Sequence, residues 1–205
     1  EKSSPAPYDF ENDKFGLNEW KYATSDYSSS NPLNLNARSR EEFIAVIDDI
    51  INQFKLFVED NAGYRLLWDD NRDRGKRERS SQILFYGMAK NYCIANDIDI
   101  SRENEVGRGP VDFKFSHGYE NRVLLEVKLA RNTKFWRGLT RQLPQYLKSE
   151  EIEKGYFMVI AYNDKDFDKI NNIDDKIADL NDESVYDIEH VIIDATNDKL
   201  SASKL

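Results

Sequence analysis

The sequence predicts an α/β domain, a central sheet flanked by helices, and three observations predict it. Apolar residues recur with a helical period over residues 43–58 and alternate as in strands between residues 97 and 130. The run Phe157 to Tyr162 is short and wholly apolar, as a buried strand is.

At 205 residues the chain has the length of one ordinary domain. Residues 1–38 are polar and rich in Ser, Asn and Pro. They read as an extension that is poorly ordered or drapes over something else, its aromatics Tyr8, Phe10, Phe15, Trp20 and Tyr22 able to dock on the domain or on a partner. The first helix follows. Ser39 and Glu42 have capping-box spacing, and Phe43, Val46, Ile47, Ile50, Ile51, Phe54, Phe57 and Val58 share one helical face. After a basic loop, a second helix is expected from Glu78 to Asn96, turning Leu84, Phe85, Met88, Ala89 and Tyr92 inward.

Three short strands come next, at Asp97 to Ser101, Pro110 to Ser116 and Arg122 to Ala130, with Gly107, Gly109 and Gly118 supplying turns. A helix over Phe135 to Glu150 contains Pro144, which removes a hydrogen bond, so this helix either kinks there or begins late. A buried strand at Tyr156 to Tyr162, an acidic helix near Phe167 to Leu180 and a strand at Ile188 to Asp194 complete the order.

Composition narrows the chemistry. Two histidines and one cysteine leave no soft or imidazole ligand set for zinc, so a metal here would be held by carboxylates, which suits Mg²⁺ or Mn²⁺. A net charge of -9 argues against a protein that coats nucleic acid, yet two local basic runs stand out. They are Arg72, Arg74, Lys76, Arg77 and Arg79, then Arg131, Lys134, Arg137 and Arg141, and each reads either as a polyanion-binding patch or as a solvated face. No apolar stretch approaches the roughly 18 residues of a bilayer span. With no signal-like start and a lone Cys93, a reducing cytoplasm and no membrane contact are expected.

The alternation in the third strand gathers Val123, Leu125, Val127 and Leu129 on one face and projects Glu126 and Lys128 from the other. In the second strand, Val111, Phe113 and Phe115 share one side and Asp112 and Lys114 the opposite one. Asp112 and Glu126 could therefore converge on one metal ion, with the Lys128 ammonium beside them. Phosphodiester hydrolysis needs those parts: charge neutralisation, an activated water and stabilisation of developing negative charge. Carboxylates beside Lys128 raise its pKa, so it suits a stabilising and positioning role better than that of a base. The plain alternative is that Glu126 and Lys128 are exposed residues of a half-buried strand.

Gly-Pro-Val-Asp-Phe at 109–113, followed by Leu-Leu-Glu-Val-Lys-Leu at 124–129, resembles the bipartite core of the PD-(D/E)XK nucleases. Asp112, Glu126 and Lys128 match its acidic pair and lysine, although Val111 separates Pro110 from Asp112. Glu78 resembles the helical acidic residue that completes the metal site in many members, and otherwise reads as a carboxylate favoured at a helix start. Gln142 and Tyr146 resemble the Gln-x-x-x-Tyr element of a subset, with a core role the alternative for Tyr146. The resemblance covers about residues 78–162. It implies a restriction-endonuclease-like α/β fold with a mixed sheet in αβββαβ order and the site where the second and third strands diverge. It further implies Glu78, Asp112 and Glu126 as metal ligands and Asp112, Glu126, Lys128 and Gln142 as catalytic residues. Arg131, Lys134, Arg137, Arg141 and Tyr146 would then bind substrate.

Asp97 to Phe115 and Asn132 to Tyr146 also look like nuclease domains of bacterial defence proteins. The expected function is Mg²⁺- or Mn²⁺-dependent DNA cleavage, in anti-phage defence and with a homo-oligomer or a regulatory partner protein as possible associates. The alternatives are a ribonuclease and an idle nucleic-acid-binding or assembly module. Of the remaining residues, Cys93 reads as a packed thiol, His117 as a surface or substrate-contacting residue, and Trp136 as a base-stacking ring or a core anchor. Ser203, Lys204 and Leu205 spell a peroxisomal address that three residues carry weakly.

Overall fold

A computed structural model describes residues 17–30, 39–102 and 111–197. Five strands form one mixed sheet in chain order: β1 (Asp99–Arg102), β2 (Phe113–His117), β3 (Asn121–Leu129), β4 (Lys154–Ala161) and β5 (Asp187–Asp194). The first three strands pair antiparallel, and β3, β4 and β5 pair parallel. β3 is therefore the strand at which the sheet changes character. Parallel neighbours require crossovers. Residues 135–150 make the first, and α6 (Asp164–Lys169) with α7 (Ile173–Asp182) makes the second.

The sheet is covered on both faces. On one side lie α2 (Arg40–Glu59) and α3 (Glu78–Ala95), which pack with Phe113, Phe115, Val123, Leu125, Val127, Met158 and Ile160. On the other, the first crossover and α7 pack with Leu124, Phe157 and Val159. β3 and β4 are thus buried on both faces, which is why β4 has no polar alternation apart from Lys154 at its start. All eight apolar residues expected on α2 are buried. Its start is fixed by the reciprocal capping box: the Glu42 N–H donates to Ser39 Oγ at 3.2 Å, and the Ser39 N–H donates to Glu42 Oε2 at 3.0 Å.

Several expectations change. Within the extension, Leu17–Ser30 forms a helix, α1, that docks on α3, with Thr24 and Ser28 buried. Ser28 Oγ donates to the Met88 carbonyl at 3.3 Å, and Thr24 lies where a Cβ on Gly87 would fall. In α1 the buried Thr24 and Ser28 are small and polar, and Tyr27 packs on Phe57 of α2. β1 begins at Asp99 rather than Asp97 because α3 ends in a Schellman closure. Asp97 takes a left-handed φ of 55° and the Ile98 N–H donates to the Cys93 carbonyl at 2.9 Å. The helix over 135–150 is irregular in another way than a proline kink. It runs as α4 (Phe135–Arg137), a π-helical segment Gly138–Gln142 and α5 (Leu143–Glu150), and Pro144 sits in the first turn of α5, where it is tolerated. The acidic helix is divided in two at Ile170–Asn172.

Val111 does not share a side with Phe113 and Phe115 but packs in the opposite core layer, because the chain bends at Asp112. Lys114 likewise turns away and pairs with Glu150 of α5 at 2.6 Å. Gly107, Gly109, Pro110 and Ser203 to Leu205 lie outside the described residues. Among the described residues, no helix is long and apolar enough to cross a membrane.

Candidate active site

β2 begins only at Phe113, opposite Leu125, while the antiparallel β3 runs on past it to Leu129. Beyond Leu125, backbone donors on this edge of β3 therefore lack a strand partner, and acidic side chains supply acceptors. Asp112 Oδ2 accepts from the Val127 N–H at 2.7 Å, and Glu78 Oε2 accepts from the Leu129 N–H at 3.2 Å. The split between β2 and β3 thus draws two carboxylates onto one strand edge. Each is held further, Asp112 by Gln82 Nε2 at 2.7 Å and Glu78 by Asn132 Nδ2 at 3.0 Å.

Glu126 and Lys128 project from β3 into the layer beneath the first crossover. They are 2% and 8% exposed, so they are not surface residues of a half-buried strand. Lys128 Nζ lies 2.6 Å from Glu126 Oε1 and 3.2 Å from Glu78 Oε1, between the two carboxylates. Its stem passes under Gly138, where an added Cβ would come within 3.1 Å of Lys128 Cε. Glu126 Oε2 is buried and accepts no hydrogen bond of ordinary geometry from the described residues, although the Asp112 N–H faces this carboxyl and eases its ionisation.

Glu78, Asp112, Glu126 and Lys128 thus meet at one place. Burial pushes the Asp112 carboxyl up to about 6, against the Lys128 charge and the Val127 N–H. Burial and then the Asp112 charge push Glu126 up to about 8. For Lys128 burial acts downwards, but Glu126, Asp112 and Glu78 outweigh it and raise the ammonium above the ordinary lysine value. Lys128 is therefore a fixed cation at neutral pH and not a base.

As they stand, no three His, Cys, Asp or Glu side chains among the described residues form a ready metal cage. The donor set nevertheless suits a hard divalent cation. All three acids offer oxygen, Glu126 Oε2 is an unused acceptor, and three carboxylates around one ammonium leave negative charge to neutralise.

The other expected site residues are more scattered. Gln142 ends the π-helical segment, half-buried, and the hydrogen bonds of the cluster do not reach it. Tyr146 and Trp136 pack against the second core layer, Trp136 edge-on to Phe135. Arg131 is engaged as a clamp: its Nη2 donates to the Gly75 and Lys76 carbonyls at 2.7 and 2.8 Å, and its guanidinium lies over the Tyr162 ring. A Cβ on Gly75 would strike that ring at 2.5 Å, so this close approach requires glycine. Lys134, Arg137 and Arg141 are exposed along the first crossover, and Arg72, Arg74 and Arg77 are exposed on the loop before α3. His117 lies at the far end of β2, and Cys93 is a buried thiol that burial pushes up to about 12.

Gln82 and Asn132 escaped the sequence reading. Gln82 had a signal, since it lies four residues after Glu78 and hence on the same helical face. Lys169 adds a support that sequence could not suggest: its Nζ donates to the Ala130 and Asn132 carbonyls at 2.6 and 2.7 Å, fixing the turn that carries Asn132.

A family model described as a domain of unknown function (DUF8371) matches residues 43–164 and so spans every member of the cluster. No curated protein matches the chain, and no solved structure does.

Proposed function

The chain belongs to the family described as a domain of unknown function (DUF8371), and we propose that it is a metal-dependent nuclease of the restriction-endonuclease-like kind, acting on DNA. The observation that carries this reading is Glu126, a buried carboxylate with one oxygen on the Lys128 ammonium and the other accepting no hydrogen bond of ordinary geometry from the described residues. A purely structural ion pair gains nothing from that second, orphaned oxygen, whose desolvation is unfavourable. A metal ligand needs it.

Asp112 and Glu126 would hold Mg²⁺ or Mn²⁺, with Glu78 beside them. When bound, the ion supplies charge neutralisation at the phosphate and acidifies a water. The chain's own groups do the rest. The Val127 N–H and Gln82 fix the Asp112 carboxylate, so its orientation costs no reorganisation when substrate arrives. Lys128, protonated and anchored on Glu126, offers a positive charge to the phosphate oxygens as water attacks phosphorus and the P–O bond to the leaving oxygen breaks. The departing oxygen takes its proton from solvent. Lys134, Arg137 and Arg141 on the first crossover and Arg72, Arg74 and Arg77 on the loop before α3 would supply a local positive field despite the overall charge.

A second reading has an observation in its favour. Lys128 ties off Glu78 and Glu126 in a closed arrangement, as in a binding or assembly module that keeps the fold without the activity. Incubating the purified chain with supercoiled plasmid, linear DNA and RNA, each in Mg²⁺, Mn²⁺ or EDTA, separates the readings. The nuclease nicks plasmid in either metal and not in EDTA. Cleavage of RNA alone reassigns the substrate, and nucleic acid bound but intact in every condition favours the idle module.

A further inference from the structure

Along α3 the side chains of Glu78, Gln82, Tyr86 and Lys90 recur at every fourth residue and so follow one face. Gln82 touches Asp112, and Tyr86 lies about 6 Å further along the helix by its rise per residue. The Tyr86 ring lies nearly parallel to Phe113, the residue after Asp112, at 11° and 6.4 Å between centroids. Two cations stand over it, the Arg102 guanidinium at 5.1 Å and Lys90 Nζ at 5.8 Å from the ring centre. Tyr86 and Arg102 are half-buried and Lys90 is exposed. Arg102 pairs with Phe113 across β1 and β2, so the group sits at the end of the sheet where the acidic cluster opens.

A strand of nucleic acid whose phosphate reaches Asp112 and Glu126 has its neighbouring nucleotide within reach of this group. With the Arg102 guanidinium lying over the Tyr86 ring, the outer face of this layered pair is a planar, positively charged surface, and unpaired bases stack on such aromatic and guanidinium planes while the backbone is neutralised. Resting on the nuclease reading, we propose that Tyr86, with Arg102 and Lys90, is a stacking platform for the base of an unpaired nucleotide next to the phosphate at the acidic cluster. The platform gives the site a preference for substrates with a single-stranded or frayed segment, and it is indifferent to base identity because every base offers a π-face.

The test uses the full chain and a fluorescent single-stranded DNA oligonucleotide, with binding measured by anisotropy in Ca²⁺ to suppress cleavage. Tyr86→Leu keeps an apolar side chain against Phe113, so its fold is checked by thermal melting before use. The platform predicts that Tyr86→Leu weakens binding about five- to a hundred-fold and that Tyr86→Trp does not. One abasic position in the oligonucleotide removes most of the difference between Tyr86→Leu and the parent chain. A Tyr86→Leu variant that binds every oligonucleotide like the parent, or whose deficit persists wherever the abasic position is placed, overturns the platform. The same oligonucleotide in Mg²⁺ reports separately on the nuclease reading. Cleavage without any dependence on Tyr86 sinks the platform alone, whereas an oligonucleotide neither bound nor cleaved sinks both.

Discussion

Replacing Glu126 by glutamine removes one charge from the acidic cluster while keeping the shape of the side chain. In the folded chain the Glu126 carboxyl ionises at about 8 instead of near its ordinary 4.5, so the fold resists its ionisation. Below about pH 4 the group is protonated whether the chain is folded or not, and it contributes nothing. As pH rises from there, the unfolded chain loses this proton first and the fold is progressively penalised, until the penalty is complete above about pH 8. The distance between the two values sets an upper limit of about 5 kcal/mol. The amide recovers less than this, because Lys128 exchanges a carboxylate for a neutral acceptor. We expect Glu126→Gln to stabilise the metal-free chain by about 2–3 kcal/mol at pH 9, raising the melting temperature by about 5–10 °C, and by under about 1 kcal/mol at pH 5. Urea denaturation followed by circular dichroism in EDTA, at pH 5, 7 and 9, measures both. A variant less stable than the parent at pH 9, or a difference that does not change with pH, refutes the picture of a buried carboxylate ionised against its surroundings.

Further outcomes follow from neighbouring groups. Lys128→Met leaves Glu78 and Glu126 without their shared cation, and the loss of about 3–5 kcal/mol at pH 8 is partly reversed by millimolar Mn²⁺, which thermal melting with and without the metal detects. Arg131→Ala removes two hydrogen bonds to backbone carbonyls and costs about 1–3 kcal/mol. Neutralising Lys134, Arg137 and Arg141 together leaves melting unchanged and flattens the salt dependence of DNA binding, by about one in log-log slope for each phosphate that the variant no longer neutralises. Ser39→Ala opens the capping box of α2 and costs about 1 kcal/mol, a fall of about 2–4 °C in the melting temperature.

What the sequence disclosed follows from where periodicity and side-chain chemistry act alone. α2 was legible because its capping box and apolar stripe are both local signals, and β3 because alternation gathers Val123, Leu125, Val127 and Leu129. The meeting of Asp112 with Glu126 was legible in outcome and mistaken in means. Alternation in β2 stops at the bend, and Asp112 arrives as an acceptor for the Val127 N–H and not as the next residue of a regular strand. The π-helical segment has only a slight signature in residue spacing: the buried Phe135, Leu139, Leu143 and Leu147 recur at every fourth residue, a little wider than the roughly 3.6 of a regular helix. The clamp that Arg131 makes was not legible, because its partners, the Gly75 and Lys76 carbonyls and the Tyr162 ring, are distant in the chain. Thr24 and Ser28, which composition assigns to solvent, are buried where α1 docks, and Tyr27 beside them packs on Phe57.

Nicking of supercoiled plasmid by the parent chain and by Glu126→Gln, side by side in Mg²⁺ at pH 8 with an EDTA control, decides whether the acidic cluster is a metal-dependent nuclease site. The variant is expected to be at least as stable as the parent, so lost activity reports on chemistry and not on unfolding. A metal site built on Glu126 predicts nicking by the parent in Mg²⁺, none in EDTA and none by the variant. Equal nicking by the two proteins, or nicking that survives EDTA, would contradict it.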